Sequence, residues 1–477
     1  MPSIRFITAA LLCASTLSCS RSRFAYTPCT TNQQCRDAFG WGNVCEEQLC
    51  AEVAPEPRCT DTYPPDLIQR KSEFQDAIII GMQFDQSAFE AEMDAAELAI
   101  RQVMKNEGLD GRSYGLVKCT NEESSSFDAL DQDEANVLVS EYLANDIGAV
   151  AIIGPATSDR VDAAFLAVEP YGTLLMSPTA TSPSLTPLDG LTSSYNNPGL
   201  LWRTAPPDDL QGKVLAQFMS SQGDRSVAVI VEEGPYGTAL GVVFAGHFEQ
   251  DGATVDQLTY ESNNAASLAT QLDSAASASV DAVLFISANK DDITEFLTSV
   301  ATSGFGSKNI YLADGAKDKD IFEDIPGLEE AELERIFGTA PAPASGQVYE
   351  NFKDEYVNKY GRPADQTPFT AYAYDAAWLV LYGTAWSHYN EGLLTGLGVA
   401  RGLRMISSGS EVDIGPSQWN SLKAQFKEGQ TVDVRGASGE LDYDSETGET
   451  SAPIDVWGVE YDSDGRIDFP TLETYDP

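Results

Sequence analysis

The chain has 477 residues, enough for two or three compact units with cores of their own. Its 29 Lys and Arg stand against 73 Asp and Glu, a formal charge of −44. That balance excludes nucleic acid and anionic lipid headgroups as partners, since both require a basic face; the acidity is read as a solvated, self-repelling surface.

Residues 1–18 form a candidate signal peptide, with Arg5 as a basic start, an apolar run from Phe6 to Leu17 and a small-residue exit. The run is too short to span a bilayer. Thr16-Leu17-Ser18-Cys19 resembles a bacterial lipobox, which makes Cys19 the expected lipidation site, with plain cleavage as the alternative. The expected location is the periplasm or cell envelope, lipid-anchored, and Ser20 favours the outer membrane.

With Cys13 in the signal and Cys19 on lipid, Cys29, Cys35, Cys45, Cys50, Cys59 and Cys119 remain. The first four fall in a polar, turn-rich stretch that needs staples to hold a shape, so 19–52 reads as a small Cys-rich segment. There is no C-x-x-C spacing and no nearby His, so disulfides are expected here and not a metal. The pairing of these four stays open. Cys59 and Cys119 are candidates for a third bridge, tying a Pro-rich linker (53–69) to the domain that follows.

From residue 70 onward strand and helix patterns alternate. Strands are expected over 77–82, 114–119, 149–153 and 172–176. A helix follows the first, with Phe89, Met93, Ala96, Ile100 and Val103 at helical spacing, and a second covers 133–145. The run 149–186 is the most informative. Two successive strands end in small, hydroxyl-bearing loops, Gly154-Pro155-Ala156-Thr157-Ser158 and Ser177-Pro178-Thr179-Ala180-Thr181. The carboxyl ends of parallel strands are where a small ligand sits, and hydroxyls and amides at a helix start suit a carboxylate.

A second block places strands over 226–231, 254–260, 282–287 and 309–313, with helices over 237–250, 265–278 and up to 303. Two such blocks imply two parallel-sheet lobes with helices on both faces. Helices over 347–360, 368–389 and 393–407 come next, then hairpin-like material at 439–443 and 454–461; this late return of strands implies intertwined lobes.

Other signals do not build chemistry. Gly396 to Gly402 has the wrong spacing for a phosphate loop. Asp442, Asp444 and Glu446, and separately Asp462, Asp464 and Asp468, lack the glycine placement of an EF-hand. His247 and His388 are the two histidines and form no nucleophile–base pair, so no enzyme and no cofactor are expected.

Taken together, 151–158 (AIIGPATS), 175–186 (LMSPTATSPSLT), 202–209 (WRTAPPDD) before Gln211-Gly212, 227–231 (VAVIV) before Gly234-Pro235-Tyr236-Gly237, 372–376 (YAYDA) and 436–444 (GASGELDYD) carry a family likeness. From about Asp76 to Asp468 the chain resembles the type I periplasmic solute-binding proteins, in particular the leucine/isoleucine/valine-binding group of ABC importers. The resemblance implies an α/β fold of two intertwined Rossmann-like lobes on a hinge of three crossovers, preceded by the disulfide-rich segment. Lobe 1 would hold about 70–205 and 336–435, and lobe 2 about 208–335 and 436–470. The lobes would close on the ligand like a clamp.

The resemblance also implies a site. Ser158 would give its hydroxyl and helix N-terminal amides to a carboxylate. Thr181 and the backbone of Thr179 and Ala180 would take the remaining carboxylate and ammonium bonds. Asp314 would face the ammonium, and Tyr236 of lobe 2 would close over the ligand. Singly, Ser158 is an ordinary helix cap, Thr181 a loop hydroxyl, Asp314-Gly315 a turn and Tyr236 a loop aromatic; their joint placement at strand ends favours binding. Two stretches depart from the family. Residues 82–86 lack its Gly-rich, aromatic-bearing form, and Ala288-Asn289-Lys290 stand where an aromatic is usual. Asn289 and Lys290 are therefore expected to favour a polar or acidic side chain over leucine. The implied function is capture of a small zwitterion, an amino acid or similar amide or carboxylate, for an ABC permease in the membrane. A sensor or docking lipoprotein on the same fold is the alternative, and an amide-acting enzyme the third reading.

Overall fold

The computed structural model describes residues 27–477 apart from 124–126, 191–193, 303, 324, 326–327, 344 and 366. The candidate signal peptide and Cys19 lie outside the described residues. The Cys-rich segment folds as helix α1 (Asn32–Phe39) against a hairpin of β1 (Asn43–Glu46) and β2 (Leu49–Glu52). Cys29–Cys45 and Cys35–Cys50 staple helix to hairpin. This unit is docked, not loose: Trp41 is buried and its Nε1 donates to the Phe74 carbonyl at 2.8 Å, while Asn32 Nδ2 donates to Asn145 Oδ1 at 2.7 Å.

Residues 53–69, expected as a linker, are built into lobe 1. Cys59 bridges to Cys119, β3 (Asp61–Tyr63) pairs antiparallel with a lobe 1 strand, and Leu67 is fully buried. A Pro-rich composition reads as a spacer only while no bridge and no sheet edge claims it. The rest of the lobe 1 sheet comprises β4 (Ile78–Phe84), β5 (Tyr114–Thr120), β6 (Ala151–Ile153), β7 (Leu174–Ser177) and β8 (Leu201–Arg203), in the order β3-β5-β4-β6-β7-β8. All but β3 run parallel. Every residue of β4 is buried, as expected of a strand covered on both faces. Helices α2 (Glu90–Lys105), α3 (Gln132–Glu141), which runs into a π turn at Tyr142–Ile147, and α4 (Ser158–Val168) make the crossovers.

Lobe 2 repeats the plan with α5 (Asp209–Gln222), β9 (Ser226–Glu232), α6 (Pro235–Phe248), β10 (Thr254–Tyr260), α7 (Ala265–Ser277), β11 (Ala282–Ile286), α8 (Lys290–Ala301), β12 (Asn309–Leu312), the short α9 (Lys319–Glu323) and α10 (Glu330–Leu333), and β13 (Ile336–Pro341). The chain then returns to lobe 1 with α11 (Gln347–Tyr360), α12 (Thr370–Glu391), α13 (Gly396–Leu403) and α14 (Trp419–Lys427), and with a parallel pair, β14 (Ser410–Asp413) and β15 (Val432–Arg435). Every residue of α12 from Thr370 to Ser387 is buried, the mark of a helix enclosed on all sides. The last stretch goes back to lobe 2: β16 (Ile454–Gly458), a small pair β17 (Glu460–Tyr461) and β18 (Ile467–Asp468), and β19 (Thr471–Tyr475). The second sheet has the order β10-β9-β11-β12-β13-β16-β19.

Three crossovers join the lobes, and two of them lie later than the boundaries implied by the resemblance. β13 pairs with β12 and β16 in the second sheet, so 336–341 belongs to lobe 2. Ala437, Leu441 and Tyr443 are packed in the lobe 1 core, where Asp375 of α12 accepts from the backbone of Ala437 and Ser438 at 2.8 and 2.7 Å. The third crossover therefore comes near residue 450. Residues 439–443 form no strand, only an isolated bridge of Glu440 to Arg435, because Leu441 and Tyr443 turn into a helical layer. Lobe 2 also extends beyond 470, since β19 completes its sheet against β16.

Candidate functional site

Two strand-end loops of lobe 1 build one wall of a cleft. β6 ends at Ile153, and Gly154 turns the chain with φ +93° where a Cβ would meet the Gln83 carbonyl oxygen at 2.2 Å, so only glycine fits. The cap position of α4 falls to Thr157, whose side chain makes no capping bond, and Ser158 is the first helical residue. β7 ends at Ser177, whose Oγ donates to the Pro155 carbonyl at 2.8 Å and accepts from Ala180 N at 3.2 Å. Thr179 Oγ1 donates to the Ala156 carbonyl and so ties the second loop to the first. Thr181 Oγ1 donates to Asp208 Oδ2 at 2.8 Å.

Arg203, at the end of β8, holds this loop from beneath. Its guanidinium is buried, pairs with Glu449 beside the third crossover, and donates to the carbonyls of Ser182 at 2.7 Å and Ala180 at 3.3 Å. With the carbonyls pinned inward, the N–H groups of Ser158, Thr179 and Thr181 have no partner among the described residues. Ser158 Oγ accepts from Ser182 N at 3.2 Å, which leaves its own proton to give. Three amides, a hydroxyl and the positive end of α4 form a ready site for a carboxylate.

The opposite wall comes from lobe 2. Asp314 follows β12 and is buried; its Oδ1 accepts from Tyr236 Oη at 2.6 Å and Gln211 Nε2 at 2.7 Å. Among the described residues no Lys or Arg pairs with it. Burial raises its pKa, and the bonds from Tyr236 and Gln211 offset this in part. Asp208, raised by burial and then by the charge of Asp314, has one oxygen without a partner among the described residues. Asp314, a buried acid that lines the cleft with neutral donors only, is poised for an incoming cation.

The lobes touch across the cleft. Ser182 Oγ donates to the Pro235 carbonyl at 2.7 Å. Asp159 of α4 presses on Gly234, where a Cβ would lie 1.9 Å from its Oδ1, and accepts from the Tyr236 backbone at the start of α6. Burial, and then the nearby Glu232, lift Asp159 to about 6.

Of the residues expected in the site, Ser158, Thr179, Thr181, Tyr236 and Asp314 line this single cleft. Ala180 does not: its N–H is taken by Ser177 and its carbonyl by Arg203. Asn289 is the N-cap of α8, accepting from Asp291 N and Asp292 N, with Nδ2 on Asn263 Oδ1 at 2.7 Å, in an outer vestibule. Lys290 lines the inner cleft but is engaged by Asp318 at 2.6 Å. Neither Asn289, engaged as a helix cap, nor Lys290, paired with Asp318, is therefore free to favour a polar or acidic ligand side chain. Sequence reasoning missed Glu92, Lys317 and Phe369, which line the cleft, and had Phe89 only as a residue of a helical stripe.

Residues 84–466 match the model of the periplasmic binding protein family. A curated relative, the Leu/Ile/Val-binding protein homolog 3 of Brucella melitensis, is 25% identical over 275 residues, 57% of this chain and 65% of the relative; the chain thus spans a little under two thirds of that protein's length. The solved leucine-binding protein LivK of Thermotoga maritima superimposes with a TM-score of 0.63 at 21% identity, covering 84% of this chain and 99% of that one. A solute-binding protein of R. palustris, solved with 4-hydroxybenzoate, gives 0.65 at 13% identity over 84% and 97%. At such identities the structures speak for the fold, two lobes of the type I periplasmic binding kind, and not for the ligand. By the extent of the match and the architecture that carries it, the chain belongs to the periplasmic binding protein family.

Proposed function

We propose that the protein is an exported, non-catalytic receptor that closes its lobes on a small zwitterion of amino-acid type and presents it to an ABC permease, held to the membrane through Cys19. One observation carries this reading. Lobe 1 offers unpaired amide donors at Ser158, Thr179 and Thr181, lobe 2 offers the uncompensated acid Asp314, and both face the same cleft. A carboxylate and an ammonium on one molecule satisfy both walls at once, which neither a simple anion nor a simple cation does. The main chain and Asp314 would hold the head group common to all amino acids, leaving the rest of the cleft to choose the side chain.

The test is a thermal-shift screen of the purified protein against amino acids, small amides and carboxylates. A ligand at a hundred times its Kd adds about 2.7 kcal/mol of stability. A shift by zwitterions, and none by the matching amine or acid alone, supports the reading; no shift with any of the compounds overturns it.

A further inference from the structure

We propose that the cleft contains a second, cation-accepting subsite centred on Glu92, which selects amino acids bearing a positively charged nitrogen on the side chain. The proposal rests on reading the cleft as an amino-acid site and names the class of ligand.

Glu92 lies in the first turn of α2, is 2% exposed, and lines the same cleft as Ser158 and Asp314. One of its carboxylate oxygens takes the Thr367 hydroxyl; Oε2 is buried with no partner among the described residues. A buried carboxylate with an idle oxygen is unfavourable unless something pairs with it. Two of the cations around it, Arg362 and Lys290, are paired with other acids. Arg362 reaches α2 but divides its guanidinium between Glu90 and Asp94, each at 2.6 Å, on either side of Glu92 in sequence. Lys290, across the cleft on α8, is held by Asp318 at 2.6 Å. Lys317 also lines the cleft, and the acid acting on it is Asp455 of β16. No cation among the described residues forms an ion pair with Glu92.

The surroundings suit a cation better than an anion or an apolar tip. Glu92 is an acceptor with one idle oxygen, and it stands at a helix start whose dipole favours its ionised form. Burial pushes its pKa up, and the Thr367 hydroxyl offsets this in part. Phe89 and Phe369 line the cleft as well and supply faces for an aliphatic stem with a charged end. Because Asp314 sits on lobe 2 and Glu92 on lobe 1, the two acids act as separate receivers. Two nitrogens on one ligand, α and terminal, match the two carboxylates.

The experiment is calorimetric titration of the purified protein with ornithine, lysine, leucine, glutamine and glutamate, repeated on Glu92→Gln with a thermal melt as the folding control. The expected result is that ornithine or lysine binds at least tenfold tighter than leucine and glutamate, and that Glu92→Gln shrinks the basic-to-leucine ratio tenfold or more. Should that variant not fold, Thr367→Val, which removes the donor from the other oxygen, is expected to lower the same ratio several-fold. Tighter binding of leucine, glutamine or glutamate than of either basic amino acid overturns the proposal, as does a ratio unmoved in the variant. If some amino acid binds and Asp314→Asn weakens it while no basic preference exists, the inference alone falls. If none of the five binds, the inference falls together with the reading beneath it.

Discussion

Replacing Asp314 by Asn tests the head-group site with the least change in shape. The amide oxygen can still accept from Tyr236 Oη and Gln211 Nε2, which now meet Oδ1 at 2.6 and 2.7 Å. What disappears is the negative charge, and an N–H donor is turned toward the space where a ligand ammonium would sit. A charge-assisted hydrogen bond contributes about 1.5–3 kcal/mol, so the loss of affinity is expected at roughly 10- to 150-fold. The empty protein is expected to respond in the opposite sense. Burial raises the folded-state pKa of Asp314, so the folded chain keeps a proton that the unfolded chain releases near its ordinary value of about 3.9. Stability then declines as pH rises from there through the raised value. Asn carries no such penalty and also relieves Asp208, whose pKa the Asp314 charge helps to raise. Thermal melts at pH 5 and pH 8 should show the variant equal to or above the native protein at pH 8, while calorimetry at pH 8 shows weakened binding. A variant that binds the ligand within threefold of native, or that melts far below native at pH 8, refutes the argument.

Other outcomes follow from the same geometry. Ser158→Ala removes one neutral donor and should cost about 0.5–1.5 kcal/mol of binding, read by titration; it also strips the buried Ser182 N–H of its acceptor, so the empty protein's Tm should fall as well. Thr181→Val also strips Asp208 of the hydroxyl that reaches it at 2.8 Å, and should lower the Tm of the empty protein as well. Asp159, lifted to about 6 where the lobes meet beside Glu232, Arg160 and the Tyr236 backbone, favours closure when protonated; affinity should fall up to about tenfold between pH 5 and pH 7.5, and Asp159→Asn should flatten that profile. Removing the Cys59–Cys119 bridge, which closes a loop of 60 residues, should cost about 4 kcal/mol by the chain-entropy estimate, measured by denaturant titration of the double Cys→Ser variant.

Much of the fold was legible because the central strands are buried on both faces and so write themselves as unbroken apolar runs, as at Ile78–Phe84 and Ala282–Ile286. The strand-end loops were legible for the converse reason, small hydroxylated residues where a strand stops. The hinge was harder. Nothing local in Ile336–Pro341 says which of two sheets it will join, and the answer comes from β16, more than a hundred residues further on. The pair β14 and β15 is four residues a side with charged positions throughout, too short to show a period. Glu92 could not be singled out at all, since α2 carries Glu90, Glu92, Asp94 and Glu97 in its first half. Only the arrival of Arg362 from a distant loop, taking Glu90 and Asp94, leaves Glu92 apart.

The stapled α1–hairpin unit is bolted to the π turn and Phe74 of lobe 1 through Asn32, Arg36 and Trp41, and among the described residues it shares no sheet with lobe 2. Whatever holds the front of the chain therefore holds lobe 1, as a door frame is fixed to a wall. If the lobes close as proposed, lobe 2 would be the leaf that swings, and a membrane protein reading whether the clamp is full would sense it in the position of that leaf.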